Sequence, residues 1–283
     1  MNDSQRAAWQ RLGERYLVGG LARGTMTPLF VPQPALGLTA LFGRDAPLLV
    51  EIGTGSGENL AVEAAARPDW NLLGFEVYDK VLGSTMSRLE RAGLNNVRLI
   101  QGDAVSGFDY LLAPGSIAEL QTYFPDPWHK ARHAKRRLIN PEFVTLAANR
   151  LITGGLWRLA TDWDDYARHI REVFATPPVN VLFENVYPNG APRNETRPLT
   201  KFEGRAVAAG RPVTDFVFRR TALPVEPGST DLRRDERHQM GVMASRPARG
   251  QAGGLLSVVG ADRAPICGRA VGANRRIQVK AHS

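Results

Sequence analysis

The stretch LLVEIGTGSGENLAVEAAAR, residues 48–67, constrains the fold most. An apolar run long enough for a strand meets a turn with glycine at alternate positions, Gly53, Gly55 and Gly57, and then a segment with helical spacing. Glycine permits the tight turn and lets backbone approach a ligand where a Cβ would clash. The same alternation recurs. Strands are predicted over 48–53, 71–77, 97–103, 117–124 and 156–162, with helical faces over 59–67, 80–92, 104–112 and 142–151 between them. Strands alternating with helices predict an α/β fold, a mostly parallel sheet covered on both faces. The runs VLFENVY (181–187) and TDFVFRR (214–220) have only a short helical stretch, 201–209, between them. They are expected to close the sheet as an antiparallel edge pair.

The acids at the strand ends narrow the ligand. A dinucleotide GxGxxG fingerprint requires glycine at position 58, where this chain has Glu58. Glu51, at the end of the first strand, would repel a diphosphate but attract an ammonium. Glu76, about 20 residues past the glycines, is placed to accept hydrogen bonds from two ribose hydroxyls, and Asp103 to meet an adenine edge. Taken singly each has a structural explanation: Glu51 a turn cap, Glu76 a solvated loop acid, Asp103 the N-cap of the helix from Ala104. Three acids on successive strand ends, all at the carboxyl edge where open α/β sheets bind ligands, point instead to S-adenosylmethionine and a sheet that looks like a methyltransferase's.

The fourth strand runs into FPDPWHKARHAKRR, residues 124–137. Pro125 and Pro127 restrict the backbone on both sides of Asp126 and bias Phe124 and Asp126 away from helix. The cations Lys130, Arg132, Lys135, Arg136 and Arg137 follow within eight positions, with Trp128 and His133 as flat faces for a base. A rigid acid beside a cationic strip suits a group that reacts on a polyanion. If each of the five cations neutralised one phosphate, log affinity would fall with log salt at a slope of roughly −3 to −4.

With EIGTGSG, GFEV and GDA before it and ATDW (160–163) and TKFEGR (200–205) after it, this string resembles the bacterial tRNA (guanine-N7)-methyltransferase family over about residues 48–220. The resemblance implies a Rossmann-like class I methyltransferase fold and methyl transfer from S-adenosylmethionine to N7 of a guanosine in the tRNA variable loop. It implies that Glu51, Glu76, Asp103 and Asp126 line the cofactor site, together with the glycine turn. It implies substrate contacts from Lys130, Asp162, Thr200, Lys201, Phe202 and Glu203, and an RNA strip at Arg132, His133, Lys135, Arg136 and Arg137. Guanine N7 carries an in-plane lone pair and no proton, so positioning precedes any acid or base chemistry. Asp126 is the expected catalytic carboxylate, stabilising the charge that develops on the ring, with Asp162 second. Asp162 can also be read as the N-cap of a helix over 163–173, and Thr200 with Glu203 as a capping box.

The rest of the chain is less informative. Residues 1–47, where the resemblance thins to Arg23, Gly24 and Thr25, are expected to form an irregular arm, and 48–222 the methyltransferase domain. Residues 223–283 read as a disordered tail, rich in Gly, Pro, Arg and Ser. Ten Lys or Arg and five Asp or Glu lie in 226–283, so most of the net charge of +8 belongs to that tail. The single cysteine, Cys267, excludes an internal disulfide or a cysteine-rich metal site, and no metal is expected. With no run fit for a signal peptide or membrane span, the chain is expected to be cytosolic, a monomer or homodimer. The competing readings are a catalytically silent RNA-binding subunit and a small-molecule methyltransferase. The first would be favoured by loss of Glu51 or Asp126, and the second would leave residues 130–137 without a purpose.

Overall fold

The computed structural model describes residues 3–25 and 28–225. Seven strands make one sheet: β1 (Leu48–Ile52), β2 (Asn71–Glu76), β3 (Val97–Gln101), β4 (Ile117–Tyr123), β5 (Leu151–Thr161), β6 (Phe183–Asn185) and β7 (Thr214–Arg220), in the order β3-β2-β1-β4-β5-β7-β6. The first five are parallel, while β7 runs antiparallel to both β5 and β6. The order reverses at β1, so the crevice between β1 and β4 is the expected ligand position of such a sheet.

Helices α1 (Asp3–Tyr16), α2 (Leu38–Phe42), α3 (Glu58–Ala66), α4 (Asp79–Arg91), α5 (Ala104–Tyr110), α6 (Pro141–Arg150), α7 (Asp164–Ala175), α8 (Val179–Leu182) and α9 (Lys201–Ala208) complete the described part. Alternation along each strand divides the core into two layers. On one face Leu49, Leu72 and Leu99 pack with Leu60 and Ala64 of α3, Leu82 and Met86 of α4, and Leu12 and Tyr16 of α1. On the other, Val50, Leu73, Phe75 and Ile100 pack with Phe108 of α5, Phe143 of α6 and Tyr166 and Ile170 of α7. Each such fully buried large side chain contributes about 1.5–3 kcal/mol.

The structure changes several sequence expectations. The arm expected to be irregular begins with α1, whose Tyr16 hydroxyl donates to Leu94 O at 2.9 Å and whose Arg11 pairs with Glu90 of α4. Trp9, Leu12 and Tyr16 had the helical spacing that signals it. β5 starts five residues earlier than the sequence suggested, because Gly154, at φ +80°, stands at an irregularity inside the strand rather than at its beginning. β6 is shorter than expected, since Val179–Leu182 forms a helical turn instead. The tail beyond 225 lies outside the described residues.

Candidate active site

The glycine turn is shaped as a cradle. Gly53, Gly55 and Gly57 have φ of +78°, +53° and +71°, a region that L side chains rarely adopt. A Cβ on Gly57 would lie 2.4 Å from Thr85 Cγ2, so this glycine is needed for α3 to pack on α4. A Cβ on Gly53 or Gly55 would meet nothing within 4 Å, so the backbone there borders open space.

Three carboxylates stand at the ends of the strands around this turn, Glu51 on β1, Glu76 on β2 and Asp103 after β3, and each lies above its ordinary pKa range. Glu51 is 4% exposed and its Oε2 has no hydrogen-bond partner. Burial pushes its pKa to about 8, against the Asn59 amide and helped by Glu63 and Glu76. Burial likewise raises Glu76, although its two oxygens accept from Gly55 N and Tyr78 N, each at 2.9 Å. Asp103 is also raised by burial while its Oδ2 caps α5, accepting from Ser106 N at 2.8 Å. The cap and the ligand-edge readings of Asp103 are compatible, since one oxygen serves the cap.

The N-terminal arm reaches this edge. Pro28 O accepts from Asp103 N at 3.2 Å, and the Phe30 ring lies so close to Gly102 that a Cβ there would sit 2.3 Å from it. Arg23 covers the Phe30 ring at 4.9 Å and donates to Gln101 O at 2.7 Å. No residue of this arm is among the site residues expected from the sequence.

Beyond β4 the loop carrying Asp126 turns sharply. Phe124 N donates to Ala160 O at 2.8 Å, and Phe124 and Trp128 adopt φ of +52° and +49°. Such backbone costs about 1–3 kcal/mol per residue and persists only where neighbours enforce it. Phe124 therefore leaves the right-handed helical region, as the following proline demands, but for the left-handed rather than the extended one. Asp126 is exposed, with Oδ1 3.4 Å from Trp128 N.

The following cations form a 3-10 helix, Ala131–Arg136. Lys130, Arg132 and Lys135 are exposed. The half-buried Arg136 lies 5.1 Å from the Trp128 ring, and His133 meets the edge of that ring at 5.7 Å. Partial burial and the charges of Arg136, Arg132 and Lys130 hold the His133 imidazole below its usual range.

Two parts of this strip differ from the sequence expectation. Trp128 is buried and offers no open face to a base, because its ring packs under Arg136. Arg137, expected on RNA, is 6% exposed. Its Nε donates to Pro127 O at 3.0 Å, it pairs with Asp165 of α7, and its guanidinium lies 5.1 Å from the Tyr166 ring. It closes the loop around Asp126 instead of facing solvent.

The remaining substrate candidates separate in the same way. Asp162, half-buried after β5, caps nothing. Its Oδ2 accepts from Arg211 Nε at 2.9 Å, and Trp163 is the residue at the N-cap of α7. Thr200 does cap α9, accepting from Glu203 N at 3.3 Å. Lys201 N donates to Glu58 Oε2 at 3.0 Å, and the side chains of Lys201 and Phe202 are exposed. Glu203 is 2% exposed and fully engaged: Oε1 accepts from Arg193 Nε and Arg197 Nη2, and Oε2 from Arg193 Nη2 and Arg197 Nε, at 2.8–3.2 Å. A carboxylate offers about four lone-pair sites. None is left for a substrate or for a capping box, which corrects both expectations for Glu203.

Five acids, Glu51, Glu76, Asp103, Asp126 and Asp162, thus stand at or just beyond the carboxyl ends of the first five strands. A family model described as a putative methyltransferase matches residues 45–216, a span that contains all of them. The tRNA (guanine-N(7)-)-methyltransferase of Cutibacterium acnes is 46% identical over 221 residues, 78% of this chain and 79% of that protein. The chain belongs to the tRNA (guanine-N7)-methyltransferase family. The family member of Streptomyces coelicolor is 49% identical over 185 residues, 65% of this chain and 67% of its own length. Outside the family, the crystal structure of the 16S rRNA methyltransferase KamB superimposes with a TM-score of 0.50 at 14% identity, covering 71% of this chain and 99% of that one. That likeness concerns the fold alone, the class I methyltransferase sheet.

Proposed function

We propose that this chain transfers a methyl group from S-adenosylmethionine to N7 of a guanosine in the variable loop of tRNA. The observation that carries the reading is the unpartnered oxygen of buried Glu51, two residues before the glycine turn, with Glu76 bonded to that turn through Gly55 N and Asp103 and the exposed Asp126 following β3 and β4. These residues suit the cofactor: Glu51 for an ammonium, Glu76 for ribose hydroxyls, Asp103 for the adenine edge, and the open backbone at Gly53 and Gly55 for close approach. Bound there, S-adenosylmethionine supplies a methyl group on positively charged sulfur.

The chain's own residues orient and stabilise. Guanine N7 has no proton to lose, so no side chain need act as a base, and the requirement is alignment. Asp126, on a loop closed by Arg137, is placed to favour the positive charge that the purine acquires and to accept from its N1 and N2 donors. Lys130, Thr200, Lys201 and Phe202 border the guanosine, and Asp162 joins them when it leaves Arg211. Arg132, Lys135 and Arg136 take backbone phosphates. Methyl transfer to unmodified tRNA by the Asp126→Ala variant tests this division of labour. The expected outcome is a turnover number lower by about tenfold or more with little change in cofactor affinity, and unaltered turnover would remove Asp126 from catalysis.

A further inference from the structure

Arg197 has no role in the reading above, yet its side chain is 0% exposed. Its Nε and Nη2 donate to the two oxygens of Glu203 at 3.2 and 3.0 Å. Its Nη1 and Nη2 donate to Asp215 of β7, the latter at 3.2 Å. These bonds raise its already high pKa despite burial, which acts the other way. With Arg193 also on Glu203, two guanidinium groups face two carboxylates and the cluster is electrically neutral.

The position of the cluster matters more than its charge. The Arg197 guanidinium lies 4.9 Å from the ring centroid of Tyr123 and 5.6 Å from that of Phe124. Tyr123 ends β4, and Phe124 begins the loop that carries Asp126. The segment leading to α9 is fastened beside them. Asn194 Nδ2 donates to the Tyr123 hydroxyl at 3.1 Å, Thr196 Oγ1 donates to Glu63 of α3 at 2.8 Å, and Lys201 N reaches Glu58 of the same helix. One side chain therefore touches the start of the catalytic loop, the head of the substrate-bordering helix through Glu203, and the antiparallel strand β7.

We propose that Arg197 is a positioning residue, holding Phe124, and with it the Asp126 loop, in register with Thr200–Phe202 at the head of α9. The planar fork spans both acids while its faces cover aromatic rings, a combination that a lysine ammonium does not reproduce. The inference rests on the methyl-transfer reading for its catalytic consequence and on geometry alone for its structural one.

Both are measured in the full chain with Arg197→Lys, and with Asp215→Asn as the milder variant that keeps Arg197 on Glu203. Hydrogen exchange followed by mass spectrometry, without ligands, is expected to show exchange faster by about fivefold or more in peptides covering 122–131, with peptides of β1 to β3 unchanged. Steady-state kinetics on tRNA are expected to show kcat lower by about tenfold and KM within about threefold of wild type. Unchanged exchange at 122–131, a rise spread equally over β1 to β3, or faster exchange with normal kcat would each overturn the proposal. If Arg197→Lys does not fold, Asp215→Asn carries the same readouts in the same direction. A wild-type protein without methyl transfer would fail the functional reading, while the exchange experiment would still decide whether Arg197 holds the loop.

Discussion

Glu51 combines burial, an unpartnered oxygen and a pKa raised to about 8. Because the folded chain holds this proton more tightly than the unfolded chain does, the contribution to stability is fully present below about pH 4.5. It is lost as pH rises through about 8. Glu51→Gln removes that slope. The variant is expected to match wild type near pH 4 and to exceed it near pH 9 by on the order of a few kcal/mol, measured by urea unfolding at both pH values. Equal stability at pH 9 would contradict the buried-acid account. The same group predicts proton release: a cation bound beside Glu51 favours its ionised form. Titration calorimetry of S-adenosylmethionine at pH 7, in two buffers of different ionisation enthalpy, is expected to report nearly one proton released by wild type. None is expected from Glu51→Gln. In the proposed function the buried acids serve the cationic cofactor and the exposed Asp126 the second reactant.

At the scale of elements, the basic strip is two devices rather than one. Arg132 and Lys135 are exposed and Arg136 lies half-buried over the Trp128 ring, whereas Arg137 turns inward to Pro127 and Asp165. Replacing Arg132 and Arg136 by Ala is expected to flatten the salt dependence of tRNA binding by about 0.7 per lost phosphate contact. Arg137→Ala is expected to leave that slope unaltered and to lower turnover and stability. A slope that flattens equally in Arg137→Ala would return this residue to the RNA surface. The distinction was not legible in the sequence. Arginine is seldom buried, so a run of five cations reads as one solvated face until tertiary contacts separate its members. Arg197 and the Asp162–Arg211 pair were hidden for the same reason, being contacts across 18 and 49 positions of chain. What depends on local pattern was legible. β7 has the expected bounds, β1 to β4 lie within a residue or two of theirs, and Asp103 and Thr200 cap the helices that the spacing placed after them. Glu203 shows the limit of that reading. The capping motif fixed its position at the head of α9, but two arginines fixed what its carboxylate does.

On the scale of the whole molecule, the strands, the two core layers and every site residue discussed above lie within 3–225. The last described segment is itself anchored, since Arg220 Nη2 donates to Leu223 O at 2.6 Å and Val225 packs against the core. A chain ending at Val225 is therefore expected to keep the wild-type melting temperature and turnover on tRNA. A loss of more than about tenfold in turnover would assign the basic tail a part in substrate binding. No helix among the described residues is long and apolar enough to cross a membrane. In the proposed function the acids of the carboxyl edge, the loop closed by Arg137 and the cations of the strip serve one act, the methylation of a purine nitrogen within a polyanion. The direct measurement is to incubate the purified protein with an unmodified tRNA transcript and methyl-labelled S-adenosylmethionine, then digest and locate the label by mass spectrometry. The expected product is 7-methylguanosine at a single position in the variable loop. Label on another atom or another nucleoside, or no label from protein shown to bind the cofactor, would contradict it.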